Sequence, residues 1–179
     1  MSLTVTVLVG NPKPASRTRS VAETLVGKLL ERGSYEVSVI ELADHSAELF
    51  DWGSETVNAL TRQVASSDLV IVASPTYKAT FTGLLKAFLD RYPTNGLAGV
   101  TAIPVMTGGD LTHALAPTVQ LAPLLAELGA IVPGRGFYFV ASRLDEIDEL
   151  VGAAAADYAA NLARLAVVAS ATRPVPSAP

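Results

Sequence analysis

Short, unbroken apolar runs recur along this chain, and stretches with helical periodicity separate them. Leu3-Thr-Val-Thr-Val-Leu-Val9 is β-branched and apolar and stops at Gly10-Asn11-Pro12, a strong turn signal. Leu69-Val-Ile-Val-Ala73 is wholly apolar, as expected of a strand covered on both faces. Tyr35–Leu42, Val100–Met106 and Ile131–Ala141 supply three more strands, the last interrupted by Pro133, Gly134 and Gly136. Apolar residues at helical spacing mark Thr18–Arg32, the Val57-Leu60-Val64 segment capped by Ser54, Leu84–Tyr92, and residues 144–168. Residues 111–128 share that spacing but contain Pro117 and Pro123, which predicts a broken or bent helix. Residues 43–53 read as a loop.

Five strands alternating with helices predict a parallel sheet with right-handed crossovers. For about five strands the natural doubly wound α/β arrangement is flavodoxin-like, with order 2-1-3-4-5 and helices on both faces. Pro104 pulls against this, because inside a central strand it removes a ladder donor; a bulge or an early strand end is expected there. The 179 residues suit one domain, placed over residues 1–169, with the proline-rich 170–179 as a frayed tail.

Composition removes several chemistries. The absence of cysteine excludes disulfides, thiolate catalysis, iron–sulfur clusters and cysteine-ligated zinc, and two histidines do not make a His-rich metal site. The net charge of −4 carries no basic stripe, so nucleic acid is not an expected partner. No apolar run approaches the ~18 residues of a spanning helix, and no leader pattern opens the chain, so the expected location is the cytoplasm, away from the membrane.

Ligands of doubly wound sheets bind beyond the carboxyl ends of the strands. The turns after strands one, three and four are therefore the candidate site. In the first, Ser16, Arg17 and Thr18 open a helix, where free amides and the helix dipole favour an anion. Two hydroxyls and a guanidinium suit a terminal phosphate monoester, although Ser16 or Thr18 serves equally as a plain N-cap and Arg17 as a solvated residue. The turn is neither a Walker loop nor a dinucleotide fingerprint. In the second, Ser74 to Gly83, Tyr77 offers a stacking or donor group and Lys78 a positive charge; an ordinary surface loop has the same composition. In the third, Thr107-Gly108-Gly109, adjacent glycines permit positive φ and close approach. His113 follows, either as a hydrogen-bonding group or as a helix-surface residue.

Together the three loops resemble the NADPH-dependent FMN reductase family of the flavodoxin-like superfamily. Closest in pattern are the reductase components of alkanesulfonate-type monooxygenases. The first loop pattern is met by Gly10, Pro12, Ser16, Arg17 and Thr18. The second is met by Ser74, Pro75, Tyr77, Gly83, Leu85 and Lys86, and the third by Thr107, Gly108, Gly109 and His113. Asn11 stands where many relatives carry serine. The resemblance spans roughly residues 3–140.

That resemblance implies hydride transfer from reduced nicotinamide to FMN, with NADPH or NADH as donor and a partner monooxygenase as one destination for reduced flavin. It implies that Asn11, Ser16, Arg17 and Thr18 hold the FMN phosphate. Pro75, Thr76, Tyr77, Lys78 and Ala79 would contact the ribityl chain and the isoalloxazine ring. Thr107, Gly108 and Gly109 would reach the ring edge, with His113 nearby. No catalytic acid, base or metal is required. A homodimer or homotetramer is implied through the Leu84–Tyr92 helix, with Phe88 as a candidate exposed residue. Arg19 is a candidate for a 2′-phosphate. An FMN-containing quinone or azo reductase would share these loops. So would a flavodoxin-type electron carrier, but the cations Lys13, Arg17 and Lys78 outnumber Asp110 and favour a hydride acceptor.

Overall fold

In the computed structural model, which describes residues 2–172, the strands are β1 (Leu3–Val9), β2 (Tyr35–Glu41), β3 (Leu69–Pro75), β4 (Thr101–Gly108) and β5 (Phe137–Val140). All pair in parallel, in the order β2-β1-β3-β4-β5 expected from the pattern. The helices are α1 (Arg17–Leu29), α2 (Glu55–Ala65), α3 (Gly83–Leu89), α4 (Ala122–Glu127) and α5 (Ile147–Ser170).

Strand alternation sorts the core into two layers. Val5, Val7, Ile71, Ala73, Ile103 and Val105 pack against Val21 and Leu25 of α1 and Val151 and Ala155 of α5. Leu8, Val70, Val72, Ala102 and Met106 pack against Val57 of α2, Leu85 and Phe88 of α3 and Leu125 of α4. All seven residues of β3 are buried, which explains its unbroken apolar sequence. Side-chain N-caps start three helices: Ser16 accepts from the Arg19 amide, Ser54 from Val57 and Thr82 from Leu85.

The structure corrects several expectations. Pro104 causes neither a bulge nor an early end, because β3 and β4 stay in register from Leu69↔Thr101 to Pro75↔Thr107. The Thr101 amide bonds Asp68 on the β3 side, and the Ala102 amide bonds Ile131 on the opposite side. Pro104, two residues past Ala102, therefore turns its missing donor toward the β5 side. There the chain pairs only at the Ile131 bridge and again from Val105↔Phe137. The fifth strand is short for the same reason: Pro133 and Gly134 leave the ladder between those two contacts. α1 ends at Leu29, short of the expected Arg32, and Gly33, at φ +84°, lies in the turn that follows. Residues Ala141–Glu146 wind as a 3₁₀ segment, which delays α5 to Ile147. The segment 111–128 is broken as the prolines require, into a 3₁₀ turn (Leu111–His113), a π turn (Pro117–Leu121) and α4. The loop over 43–53 contains a 3₁₀ turn at Leu42–His45. Phe88 is fully buried and so offers nothing to a partner chain. Of the expected tail, Ser170 belongs to α5, while residues 173–179 lie outside the described residues. Among the described residues, no helix is long and apolar enough to cross a membrane.

Candidate flavin-binding site

The carboxyl ends of β1, β3 and β4 open onto one cleft of about 560 Å³, within the range typical of small-molecule sites. Asn11, Ser16, Arg17, Thr18, Pro75, Thr76, Tyr77, Thr107, Gly108 and Gly109 line it, with Lys13, Pro14, Ala15 and Ala141. Ten of the sequence-derived residues are thus brought together from segments almost a hundred positions apart. Ala79 and His113 are not on its wall but in a neighbouring hollow with Leu111, Leu115 and Val119. Lys78 lines neither.

A buried hydrogen-bond relay fastens the first loop to the third. The Asn11 Nδ2 donates to Thr18 Oγ1 at 3.1 Å, and Thr18 Oγ1 lies 2.7 Å from Thr107 Oγ1. Asn11 Oδ1 accepts from the Lys13 amide at 2.9 Å, which shapes the turn. The second loop is tied in by the Thr76 amide, which donates to the Thr107 carbonyl at 2.7 Å. Thr82 Oγ1 donates to the Gly10 carbonyl at 2.6 Å while capping α3. Gly10 permits this approach, since a Cβ there would sit 2.6 Å from Leu85 Cβ.

At one end of the cleft, the first-turn amides of Arg17 and Thr18 have no intrahelical acceptor. Arg17 is exposed and, among the described residues, has no carboxylate partner; the same holds for Lys13. On the same cleft wall, Thr76 Oγ1 is buried and, among the described residues, has no hydrogen-bond partner. A free cation, free amides and an orphaned hydroxyl in one cleft form a donor set that fits a phosphorylated polar ligand such as FMN. Tyr77 is half exposed at the rim. It opens a tight turn in which the Tyr77 amide donates to the Thr80 carbonyl at 2.8 Å and the Thr80 amide returns a bond at 3.2 Å. Lys78 and Ala79, the central pair, have φ of +51° and +69°, a geometry that normally selects Asn-Gly. Neither Gly108 nor Gly109 has positive φ, contrary to expectation. Gly108 is required for close approach instead, because a Cβ would fall 1.8 Å from the Tyr138 hydroxyl, whereas Gly109 leaves open space.

Sequence reasoning missed Glu41, the buried last residue of β2. Its carboxylate accepts from the Ala15 amide at 3.0 and 3.1 Å and from Arg19 Nη1 at 2.6 Å. The available signal was an acidic residue at the carboxyl end of a strand beside β1. Arg19 is held by Glu23 as well, and bonds to Glu23 and then Glu41 raise its pKa further above the ordinary arginine value. It is therefore occupied within the protein and not presented to a 2′-phosphate. Asp110 accepts from the Thr112 amide at 2.8 Å; the Thr112 side chain and then this amide lower its pKa. Among the described residues, no group of His, Asp and Glu is arranged to hold a metal.

Comparison with known proteins agrees with this fold. The chain is 34% identical over 128 residues to an Escherichia coli K12 protein named FMN reductase (NADPH), covering 70% of this chain and 67% of that one. A Pseudomonas putida KT2440 protein of the same name is 37% identical over 126 residues, covering 68% and 62%. The chain thus spans about two thirds of the length of these relatives. The crystal structure of the NADH:FMN oxidoreductase EMOB in its apo form superposes with a TM-score of 0.78 at 30% identity, covering 89% of each chain. The family model for NADPH-dependent FMN reductase matches residues 3–145. With a sheet of order 2-1-3-4-5 and a phosphate-suited cleft at its carboxyl edge, the chain belongs to the NADPH-dependent FMN reductase family.

Proposed function

We propose that this protein is an NAD(P)H-dependent FMN reductase whose cleft binds FMN with the phosphate at the first turn of α1. The observation that carries this reading is the convergence in one cleft of the first-turn amides with Arg17 and the Thr76 hydroxyl, both without a partner among the described residues. In it, Ser16, Arg17 and Thr18 receive the phosphate, with Asn11 fixing the turn. Pro75, Thr76 and Tyr77 border the polar chain and ring. Thr107, Gly108 and Gly109 border the ring edge, and Lys78, Ala79 and His113 sit outside the cleft wall. FMN, when bound, supplies the acceptor for a hydride from reduced nicotinamide. The protein's own part is to bind and orient the two rings, with no side chain serving as acid or base.

Lys13 and Arg17 favour a reductase over a low-potential electron carrier, because both line the cleft and neither is neutralised by a carboxylate among the described residues. The names of the relatives divide between NADPH and NADH, and the donor follows from assay. Delivery of reduced flavin to a monooxygenase, a location in the cytoplasm and a homodimer or homotetramer complete the proposal. For the oligomer, the support passes from Phe88 to Leu111, Leu115 and Val119, which are exposed beside the cleft at four-residue spacing.

The test is anaerobic stopped-flow mixing of flavin-free protein and FMN with excess NADPH or NADH. Saturable, enzyme-dependent bleaching of flavin absorbance supports the reductase and ranks the donors. Tight FMN binding without bleaching makes the protein a carrier, and no FMN binding removes the site assignment.

A further inference from the structure

We infer that Glu41 is a positioning residue that sets the phosphate end of the cleft and makes the site discriminate FMN from flavin lacking the phosphate. The inference rests on the FMN reading above and extends it to a residue outside the cleft lining.

A carboxylate below a phosphate site would ordinarily repel the ligand, and a buried carboxylate is retained only when its oxygens are satisfied. Here both conditions are met by the same contacts. Glu41 pairs with Val9 at the end of the β1–β2 ladder, so its backbone is fixed beside the start of the first loop. Its side chain is 6% exposed, and the Arg19 guanidinium neutralises it from α1 at 2.6 Å. Its remaining capacity is spent on one backbone group, the Ala15 amide, bonded to both oxygens.

Ala15 is the residue before the Ser16 cap, and its φ is +50°. An alanine in the left-handed region persists only where its surroundings impose it. The bond to Glu41 commits the Ala15 amide to the end of β2. The chain then enters α1 with the first-turn amides of Arg17 and Thr18 free of intrahelical acceptors. Arg19 is drawn to Glu23 and Glu41 and thus leaves Arg17 as the guanidinium open to the cleft. One carboxylate therefore fixes the loop conformation and the division of labour between two neighbouring arginines.

The test measures Kd for FMN and for riboflavin on flavin-free wild type, Glu41→Gln and Glu41→Ala by flavin fluorescence quenching, with far-UV circular dichroism as the folding check. Wild type binds FMN more tightly than riboflavin. Both variants lose about tenfold or more in FMN affinity while riboflavin affinity stays within about twofold. A purely structural role would lower both affinities together or neither, and a wild-type FMN-to-riboflavin ratio in the variants overturns the inference. If Glu41→Ala fails to fold, the isosteric Glu41→Gln decides. Wild type that binds both flavins equally, or neither, overturns the phosphate-site reading itself, and the positioning role with it.

Discussion

Replacing Thr18 by valine keeps the side-chain shape and removes the hydroxyl at the centre of the relay between the first and third loops. Thr18 and Thr107 are 1% and 4% exposed, so water is not a ready substitute. The change leaves Asn11 Nδ2 and Thr107 Oγ1 each short of a partner. A buried polar group left unsatisfied costs about 1–3 kcal/mol, so the pair is expected to cost about 2–6 kcal/mol. At roughly 2–4 °C per kcal/mol for a chain of this size, Tm falls by several degrees. The assay is urea denaturation of Thr18→Val, Thr107→Val and the double variant, followed by circular dichroism and checked for constant m. Removing both hydroxyls leaves only Asn11 unpaired. The double variant should therefore lose about 1–3 kcal/mol less than the sum of the single losses. Strict additivity, or a Thr18→Val stability within about 0.5 kcal/mol of wild type, would show that these hydroxyls do not couple the loops.

Arg17→Ala should weaken FMN binding about 10- to 100-fold and leave riboflavin unaffected, since its guanidinium has no partner to lose among the described residues; equilibrium fluorescence titration decides. Ala79→Gly relieves a left-handed alanine and should raise Tm by roughly 2–4 °C, after subtracting the entropy glycine adds to the unfolded chain. A lower Tm in differential scanning calorimetry would mean the turn is not strained. Asp68 accepts from the Thr4 amide at 2.7 Å and its hydroxyl at 2.8 Å, and these bonds lower its pKa from 3.8. Its contribution to stability is therefore complete above that ordinary value and is lost as pH falls through the lowered one. Asp68→Asn should flatten that part of the acid-denaturation curve.

The order of the sheet and the two helical layers were legible in the sequence, because alternating strand and helix patterns select a doubly wound sheet, and ten of the thirteen expected site residues share one cleft in the fold. Short apolar, β-branched runs specify strands, and the unbroken run Leu69–Ala73 specifies the most buried one. Turn signals after β1, β3 and β4 mark the edge where a doubly wound sheet must bind its ligand. The family resemblance in those turns supplied the chemistry. Local rules failed where a residue's role is set by what lies across the fold. Pro104 is tolerated in a central strand only because its ring faces a gap in the next one. Phe88 is core because the sheet face that carries Leu8, Val70, Val72 and Met106 packs on its helix. Gly108 is needed for the Tyr138 hydroxyl, a contact made thirty positions away and invisible to backbone propensity. Arg19 and Arg17 are chemically identical in the sequence. The tertiary structure separates them by bringing the Glu41 carboxylate from the end of β2 to one and leaving the other facing the cleft. Electrostatic and packing energies depend on distance in space, and only the folded chain sets those distances.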